Sequence, residues 1–335
     1  MENLVNSSPL ILVLVFLVIG FAFLMKGADF FVEGSSSIAK RLKVPPIIIG
    51  LTIVAMGTSL PETAVSVTAS LVNNNELAVS NVVGSNIFNL MVDVGVCSIL
   101  TPILVQKETI KRDIPFSMIC AFLLLGLGIL AVGDKSGMTL GHLDGMILLG
   151  FFAGYIVAMI QSAMKARAAG KNVEIEGIEE LEEEIGILSW PKSILFIVGG
   201  ALAIAFGGDL TVDAASRIAI DLGMSQTLVG LTIVSIGTSL PELVTSVVAA
   251  RKNEVDMAVG NAVGSNIFNI LMVLGIASAI NPVALIRENI IDIVILIVFS
   301  LIVWIYAATK RKISRKEGIS MVCLYLIYAG YIIWR

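Results

Sequence analysis

Charge is what this sequence has least of. Only 14% of its 335 residues are Asp, Glu, Lys or Arg, against 57% hydrophobic, and the mean hydropathy is +0.95. Such a chain has too little polar surface to coat a water-soluble globule. A net charge of −4 supplies no basic surface, so neither a nucleic-acid partner nor electrostatic recruitment to lipid headgroups is implied. Soft metal ligands are scarce too: one histidine, His142, and three cysteines, Cys97, Cys120 and Cys323. The cysteines fall inside apolar runs without metal-like spacing and read as packing residues. His142, beside Gly141, reads as an interfacial residue at an outer helix end. No Ser/His or Cys/His pairing and no paired-aspartate motif is visible, which argues against an intramembrane enzyme. Residues 1–9 contain Glu2 and no Lys or Arg, so the apolar run that follows reads as a first membrane helix, not a cleaved signal.

What the sequence has in abundance is long apolar runs. They lie near 9–25, 44–71, 77–100, 114–131 and 143–163, then near 194–206, 227–249, 257–280, 290–307 and 319–334. Each approaches the ~20 residues that cross a ~30 Å hydrocarbon layer, where a β-barrel would show short alternating segments. The expected fold is an all-α polytopic membrane protein of ten transmembrane helices. The loops near 40–43, 107–112, 165–171, 251–252 and 310–316 hold sixteen Lys and Arg, and the alternate segments hold four, Lys135, Arg217, Arg287 and Arg335. By the excess of basic residues in cytoplasmic loops, both termini are expected outside and the middle loop inside. That loop carries Glu174, Glu176, Glu179, Glu180, Glu182, Glu183 and Glu184 and reads as a solvated acidic linker, too short for a folded domain.

One stretch is written twice. Residues 50–89, laid without gaps on 230–269, match at 25 of 40 positions. The matches cluster in Gly57-Thr58-Ser59-Leu60-Pro61-Glu62, repeated as Gly237-Thr238-Ser239-Leu240-Pro241-Glu242, and in Gly84-Ser85-Asn86-Ile87-Phe88-Asn89, repeated as Gly264-Ser265-Asn266-Ile267-Phe268-Asn269. Core packing preserves apolar character but has no reason to preserve a polar string letter for letter, so the duplicated object is a site. Five spans per half is an odd number, so the second copy crosses in the opposite sense. This predicts two inverted-topology repeats, 1–164 and 191–335, joined by the linker 165–190, with broken second and seventh helices meeting at the midplane.

The residue types point to a cation. A carboxylate inside a hydrocarbon span costs at least a few kcal/mol, and Glu62 and Glu242 have no basic residue nearby in sequence; a mobile cation would supply the missing partner. Thr58 and Glu62 are spaced i, i+4, with Ser59 adjacent, so their oxygens project toward one side. Pro61 has no N–H to give the carbonyl of Gly57, which is expected to free carbonyls near 55–57 and, in the copy, near 235–237. Asn81, Ser85 and Asn89 share a helical face, as do Asn261, Ser265 and Asn269, and Gly84 and Gly264 would allow neighbouring helices to approach. All these donors are hard oxygens, which suit Ca²⁺ and Na⁺ better than Mg²⁺, Zn²⁺ or Cu²⁺. Two ionised glutamates balance one Ca²⁺, and an empty site would carry that charge through a low-dielectric interior, so loaded states are the ones expected to reorient; this favours antiport over a channel.

These doubled blocks resemble the α-repeats of the sodium/calcium exchanger family, within the calcium/cation antiporter superfamily. The resemblance implies a central Ca²⁺ site built from Glu62 and Glu242. It also implies flanking Na⁺ sites that use Thr58, Ser59, Ser85, Thr238, Ser239 and Ser265 with the carbonyls of Ala55 and Ser235; Asn89 and Asn269 fall where family members place an amide or an Asp. It implies a multi-pass protein of the cell membrane that exchanges Na⁺ for Ca²⁺ by alternating access, with no cofactor and no obligate protein partner. Asn269 leans against K⁺ co-transport, and the lack of a regulatory domain in the middle loop suggests a compact prokaryotic-type member. The alternative is exchange of Ca²⁺ or another divalent cation for protons. Asp93, whose counterpart is Val273, stays outside the core site. Asp29 and Glu33, mirrored by Asp209 and Asp213, are expected near helix ends.

Overall fold

The computed structural model describes residues 2–71, 75–129, 138–168, 188–224 and 235–334. The glutamates of the acidic linker, Lys135, Lys171 and the first part of the seventh expected helix, 227–234, lie outside the described residues. Helix α1 spans Leu10–Leu42. Helix α2 is broken, Pro46–Thr58 (α2a) and Leu60–Leu71 (α2b), with a 46° bend between the halves. Helix α3 runs from Asn75–Phe88 through a π turn, Asn89–Asp93, into Val94–Leu100. Helix α4 covers Thr109–Ile129 and α5 His142–Ala168.

The second half repeats the plan. Helix α6 spans Trp190–Asp221; the described part of α7 is Ser235–Gly237 (α7a) followed by Leu240–Arg251 (α7b). Helix α8 runs from Val255–Phe268 through the π turn Asn269–Val273 into Leu274–Ile280. Helices α9, Arg287–Lys310, and α10, Arg315–Trp334, complete it. Among the described residues eight helices are long and apolar enough to cross a membrane, and nine if the bent α2 counts as one span. Outward faces are apolar, with Ile11 79%, Leu202 67% and Ile327 69% exposed, while Glu62, Asn86, Asn89, Glu242 and Asn269 are fully buried. That inside-out distribution belongs to a protein whose solvent is hydrocarbon.

Helices α1 and α6 extend well past the apolar runs at 9–25 and 194–206. At ~1.5 Å per residue, a helix of 33 residues is ~50 Å long, more than the hydrocarbon thickness, so α1 tilts or projects. The two lie against each other along a seam of small residues spaced by seven: Gly20, Gly27 and Gly34 on α1, Ser193, Gly200 and Gly207 on α6. A Cβ on Gly27 would stand 2.9 Å from the Gly200 carbonyl oxygen, and one on Gly207 would stand 2.7 Å from that of Gly20. Lipid offers no hydrophobic force between helices, so contact this close, which only small residues permit, is what holds them together. Asp29, Glu33, Asp209 and Asp213 therefore fall within these helices and not at their ends. Asp29 pairs with Lys26 at 3.6 Å and Lys252 at 3.5 Å.

A pseudo-two-fold axis relates the halves, and side chains record it. Asn86 Nδ2 donates to the Asn266 carbonyl at 3.1 Å and Asn266 Nδ2 to the Asn86 carbonyl at 3.0 Å. Two short strand pairs are the only non-helical regular elements among the described residues, and they too are related by the axis. Ile103–Leu104 pairs with Lys312–Ile313, and Thr139–Leu140 with Val283–Ala284. The first pair joins two of the basic loops; Gln106 donates to Asp256 and Arg41 to the Leu188 carbonyl, so the basic segments gather on one face. On the other, Arg217 donates to the Asn6 carbonyl and His142 meets the Ala279 carbonyl at 3.0 Å.

Candidate cation-binding site

The break in α2 falls at Ser59 (φ −82°, ψ 11°) and that in α7 at Ser239 (φ −93°, ψ 3°), in the bridge region between helix and strand. Each serine caps the half-helix that follows: Thr63 N–H donates to the Ser59 carbonyl at 3.1 Å and Leu243 N–H to the Ser239 carbonyl at 3.2 Å. Pro61 and Pro241 sit in the first turn, where a missing N–H costs nothing. Glu62 and Glu242 follow in the same first turns, at the positive end of a half-helix, which favours a carboxylate. The role of Gly57 and Gly237 lies in packing: a Cβ on Gly57 would meet the Phe31 ring of α1 at 2.5 Å. Gly264 behaves as its type suggested, since a Cβ there would lie 2.8 Å from Leu51 Cα of α2a.

The halves exchange hydroxyls. Ser59 donates to Glu242 Oε1 at 3.0 Å and Ser239 to Glu62 Oε1 at 3.4 Å. From within each repeat Ser85 donates to Glu62 Oε1 and Ser265 to Glu242 Oε1, both at 3.5 Å. Thr58 donates to Asn261 Oδ1 at 3.0 Å and lies 3.5 Å from Ser265 Oγ, while Thr238 donates to Asn81 Oδ1 at 3.3 Å. Asn89 donates to Asn266 Oδ1 at 3.3 Å and Asn269 to Asn86 Oδ1 at 3.1 Å. The structure thus gathers Ser85 and Ser239 on Glu62, and Ser59 and Ser265 on Glu242 with Thr58 beside Ser265, while Thr238 meets Asn81; Asn89 and Asn269 are tied to the axis through Asn86 and Asn266. The Ala55 carbonyl accepts the Ser59 N–H at 3.0 Å and the Thr58 hydroxyl at 3.3 Å, so in this conformation the proline does not leave it free. Ser235 contributes backbone to the turn Ser235–Gly237.

Four buried oxygens at this centre have no donor among the described residues: Glu62 Oε2, Glu242 Oε2, Asn89 Oδ1 and Asn269 Oδ1. They are two symmetry-related pairs. A buried polar atom without a partner costs roughly 1–3 kcal/mol, more if charged, and a cation is the kind of ligand that all four could share. Among the described residues no group of three or more His, Cys, Asp or Glu side chains converges, so the donors that would hold a cation are two carboxylates with neutral hydroxyl and amide oxygens. Sequence spacing did not single out Asn86 and Asn266. Both stood inside the duplicated block, and that identity was the available signal.

Comparison with known proteins gives the family. The sodium/calcium exchanger protein family model matches residues 12–161 and 192–334, leaving out the linker. The sodium/calcium exchanger MaX1 of Methanosarcina acetivorans is 33% identical, over 93% of this chain and 96% of its own length. The putative antiporter CaxA of Alkalimonas amylolytica is 37% identical over 94% and 96%. The inner membrane protein YrbG of Escherichia coli is 32% identical over 95% and 94%. Structures of the sodium-calcium exchanger NCX_Mj superpose with a TM-score of 0.80 at 30% identity, covering 96% of this chain and 99% of that one, in crystals soaked with Na⁺ and Sr²⁺. With the family model matched over 12–161 and 192–334 and relatives above 30% identity along nearly the whole length, the chain belongs to the sodium/calcium exchanger family.

Proposed function

We propose that this chain is a secondary antiporter that exchanges Na⁺ for Ca²⁺ by alternating access. The observation that carries the reading is the set of four unpartnered buried oxygens on two inverted half-helices. Glu62 and Glu242 would hold Ca²⁺ between them, with Asn89 and Asn269 completing its shell. Thr58, Ser59 and Ser85, with Thr238, Ser239 and Ser265 across the axis and the carbonyls of Ala55 and Ser235, would hold Na⁺. Ser59 and Ser239 already bridge the halves, so replacing Ca²⁺ by Na⁺ redistributes donors without exposing either glutamate as a bare charge. That couples the fluxes, because the emptied site would move two uncompensated charges through hydrocarbon. Similarity to exchangers named for sodium and calcium supports these substrates. The chemistry is ion transfer and not bond-making, and needs no cofactor or protein partner. The protein would sit in the cell membrane as two repeats, 1–164 and 191–335, with both termini outside and the linker 165–190 in the cytoplasm.

Exchange of Ca²⁺ for protons is the second reading, and the buried carboxylate of Asp93 is what favours it. Radiolabelled Ca²⁺ uptake into Na⁺-loaded proteoliposomes diluted into Na⁺-free buffer, against K⁺-loaded and pH-jump controls, separates the two. The expected result is uptake only with the outward Na⁺ gradient; uptake under the pH jump alone would replace Na⁺ by H⁺ as the coupling ion.

A further inference from the structure

The two-fold symmetry of the site is broken at one position. Asp93 closes the π turn of α3, one turn beyond Asn89, and its equivalent in α8 is Val273. Its side chain is fully buried, and neither carboxylate oxygen has a hydrogen-bond partner among the described residues. A carboxyl retained for structure is normally satisfied by backbone or side-chain donors; this one is not. The titratable groups that face it are Cys97 on its own helix, Tyr325 from α10 and Glu242 from α7, and none of them is a cation. The Tyr325 ring is itself held edge-on against Phe88 at 5.4 Å, one residue before the π turn begins.

We propose that Asp93 is the anionic element of a second, off-axis site that takes a monovalent cation, Na⁺ or H⁺, beside the Ca²⁺ site. This rests on the antiporter reading above. A single carboxylate charge is matched by one monovalent ion, whereas Ca²⁺, which takes six to eight oxygens, is already matched in charge by Glu62 and Glu242. The consequence is arithmetic. Glu62 and Glu242 balance one Ca²⁺ or two monovalent ions; Asp93 takes a third monovalent ion when Ca²⁺ has left and is unfilled when Ca²⁺ is bound, so three monovalent ions exchange for one Ca²⁺ and one net charge moves. Asp93 would therefore set how many monovalent ions move per Ca²⁺, and whether exchange moves net charge.

The test compares wild type with Asp93→Asn and Asp93→Val in proteoliposomes. Valine is the residue that the other repeat carries in the same place, so its volume is tolerated there. Ca²⁺ uptake is measured against Na⁺ concentration, against pH and against an imposed K⁺-valinomycin potential. The expected result is that the wild type responds to potential and both variants lose that response. The steepness of uptake against the monovalent ion should fall by one, in the Na⁺ series if Na⁺ occupies the site and in the pH series if H⁺ does. Variants that keep the wild-type steepness in both series and the wild-type voltage response overturn the proposal. A wild type insensitive to potential overturns it as well, even if neither variant folds. Wild-type vesicles that take up no Ca²⁺ under any gradient would instead remove the exchanger reading itself, and this inference with it.

Discussion

Glutamine is the sharpest probe of Glu62 and Glu242, because it keeps the shape and one acceptor while removing the charge. Truncating one member of a buried charge pair costs about 3–5 kcal/mol, so Glu62→Gln or Glu242→Gln should weaken Ca²⁺ binding by about a hundredfold or more. The neutral variants should fold, since an uncompensated carboxylate is the group a hydrocarbon interior tolerates least. Uptake at background level with normal membrane insertion is the expected outcome; near wild-type flux in either variant would withdraw the assignment. These residues were legible in the sequence because polar letters inside apolar runs need a reason, and duplication supplied one. The exchange of Ser59 and Ser239 between halves was not legible. Spacing within one copy states which oxygens share a face, but not which face of the other copy they meet. Asn86 and Asn266 were hidden for the same reason: their partners lie 180 residues away.

Helix α1 shows how an element can be misread while its residues are read correctly. The stretch Glu33, Gly34, Ser35, Ser36, Ser37 looks polar and loop-like to a hydropathy window, yet Ser35, Ser36 and Ser37 are buried and the helix runs on to Leu42. Small polar residues serve as well as glycine where two helices touch through their backbones. The seven-residue spacing of Gly20, Gly27 and Gly34, matched by Ser193, Gly200 and Gly207, was the unread signal. The π turns at Asn89–Asp93 and Asn269–Val273 had none, because one extra residue in a turn leaves no compositional trace. Gly200→Ala places a methyl 2.7 Å from both the Gly27 carbonyl oxygen and the Phe31 N, where backbone must shift. Overpacking of this kind costs about 1–3 kcal/mol, and the variant should melt lower than wild type in detergent. Gly150→Ala on α5, with nothing within 4 Å of the added carbon, should leave the melting temperature unchanged or raise it slightly, because alanine favours helix. Equal effects from the two would mean that the α1–α6 seam does not hold the bundle.

At the scale of the molecule, the mechanism depends on how often the chain crosses the membrane. Ten crossings put both termini on one side, and with five per repeat they force the two copies of the motif into opposite orientations, so that each broken helix faces the other across the axis. The crossing that matters most is that of α7, whose described second half is only 12 residues long; without it the count is odd and the termini part company. Ser7 and Trp334 are both exposed at opposite ends of the chain, Trp334 at 93%, and Thr309 is exposed at the end of α9, beside the basic loop. In a background with Cys97, Cys120 and Cys323 replaced, single cysteines at these three positions should divide cleanly. Ser7→Cys and Trp334→Cys should react with a membrane-impermeant maleimide applied to intact cells, and Thr309→Cys only after permeabilisation. Labelling of the two termini from opposite sides would make the repeats parallel and separate Glu62 from Glu242 in the direction of transport. Labelling of both termini only from inside would keep the two-fold site but invert the molecule, placing the acidic linker outside and turning the basic face away from the cytoplasm. The basic loops argue against that inversion, because the Lys and Arg gathered by the 103–104 and 312–313 pairing would all have to be translocated together.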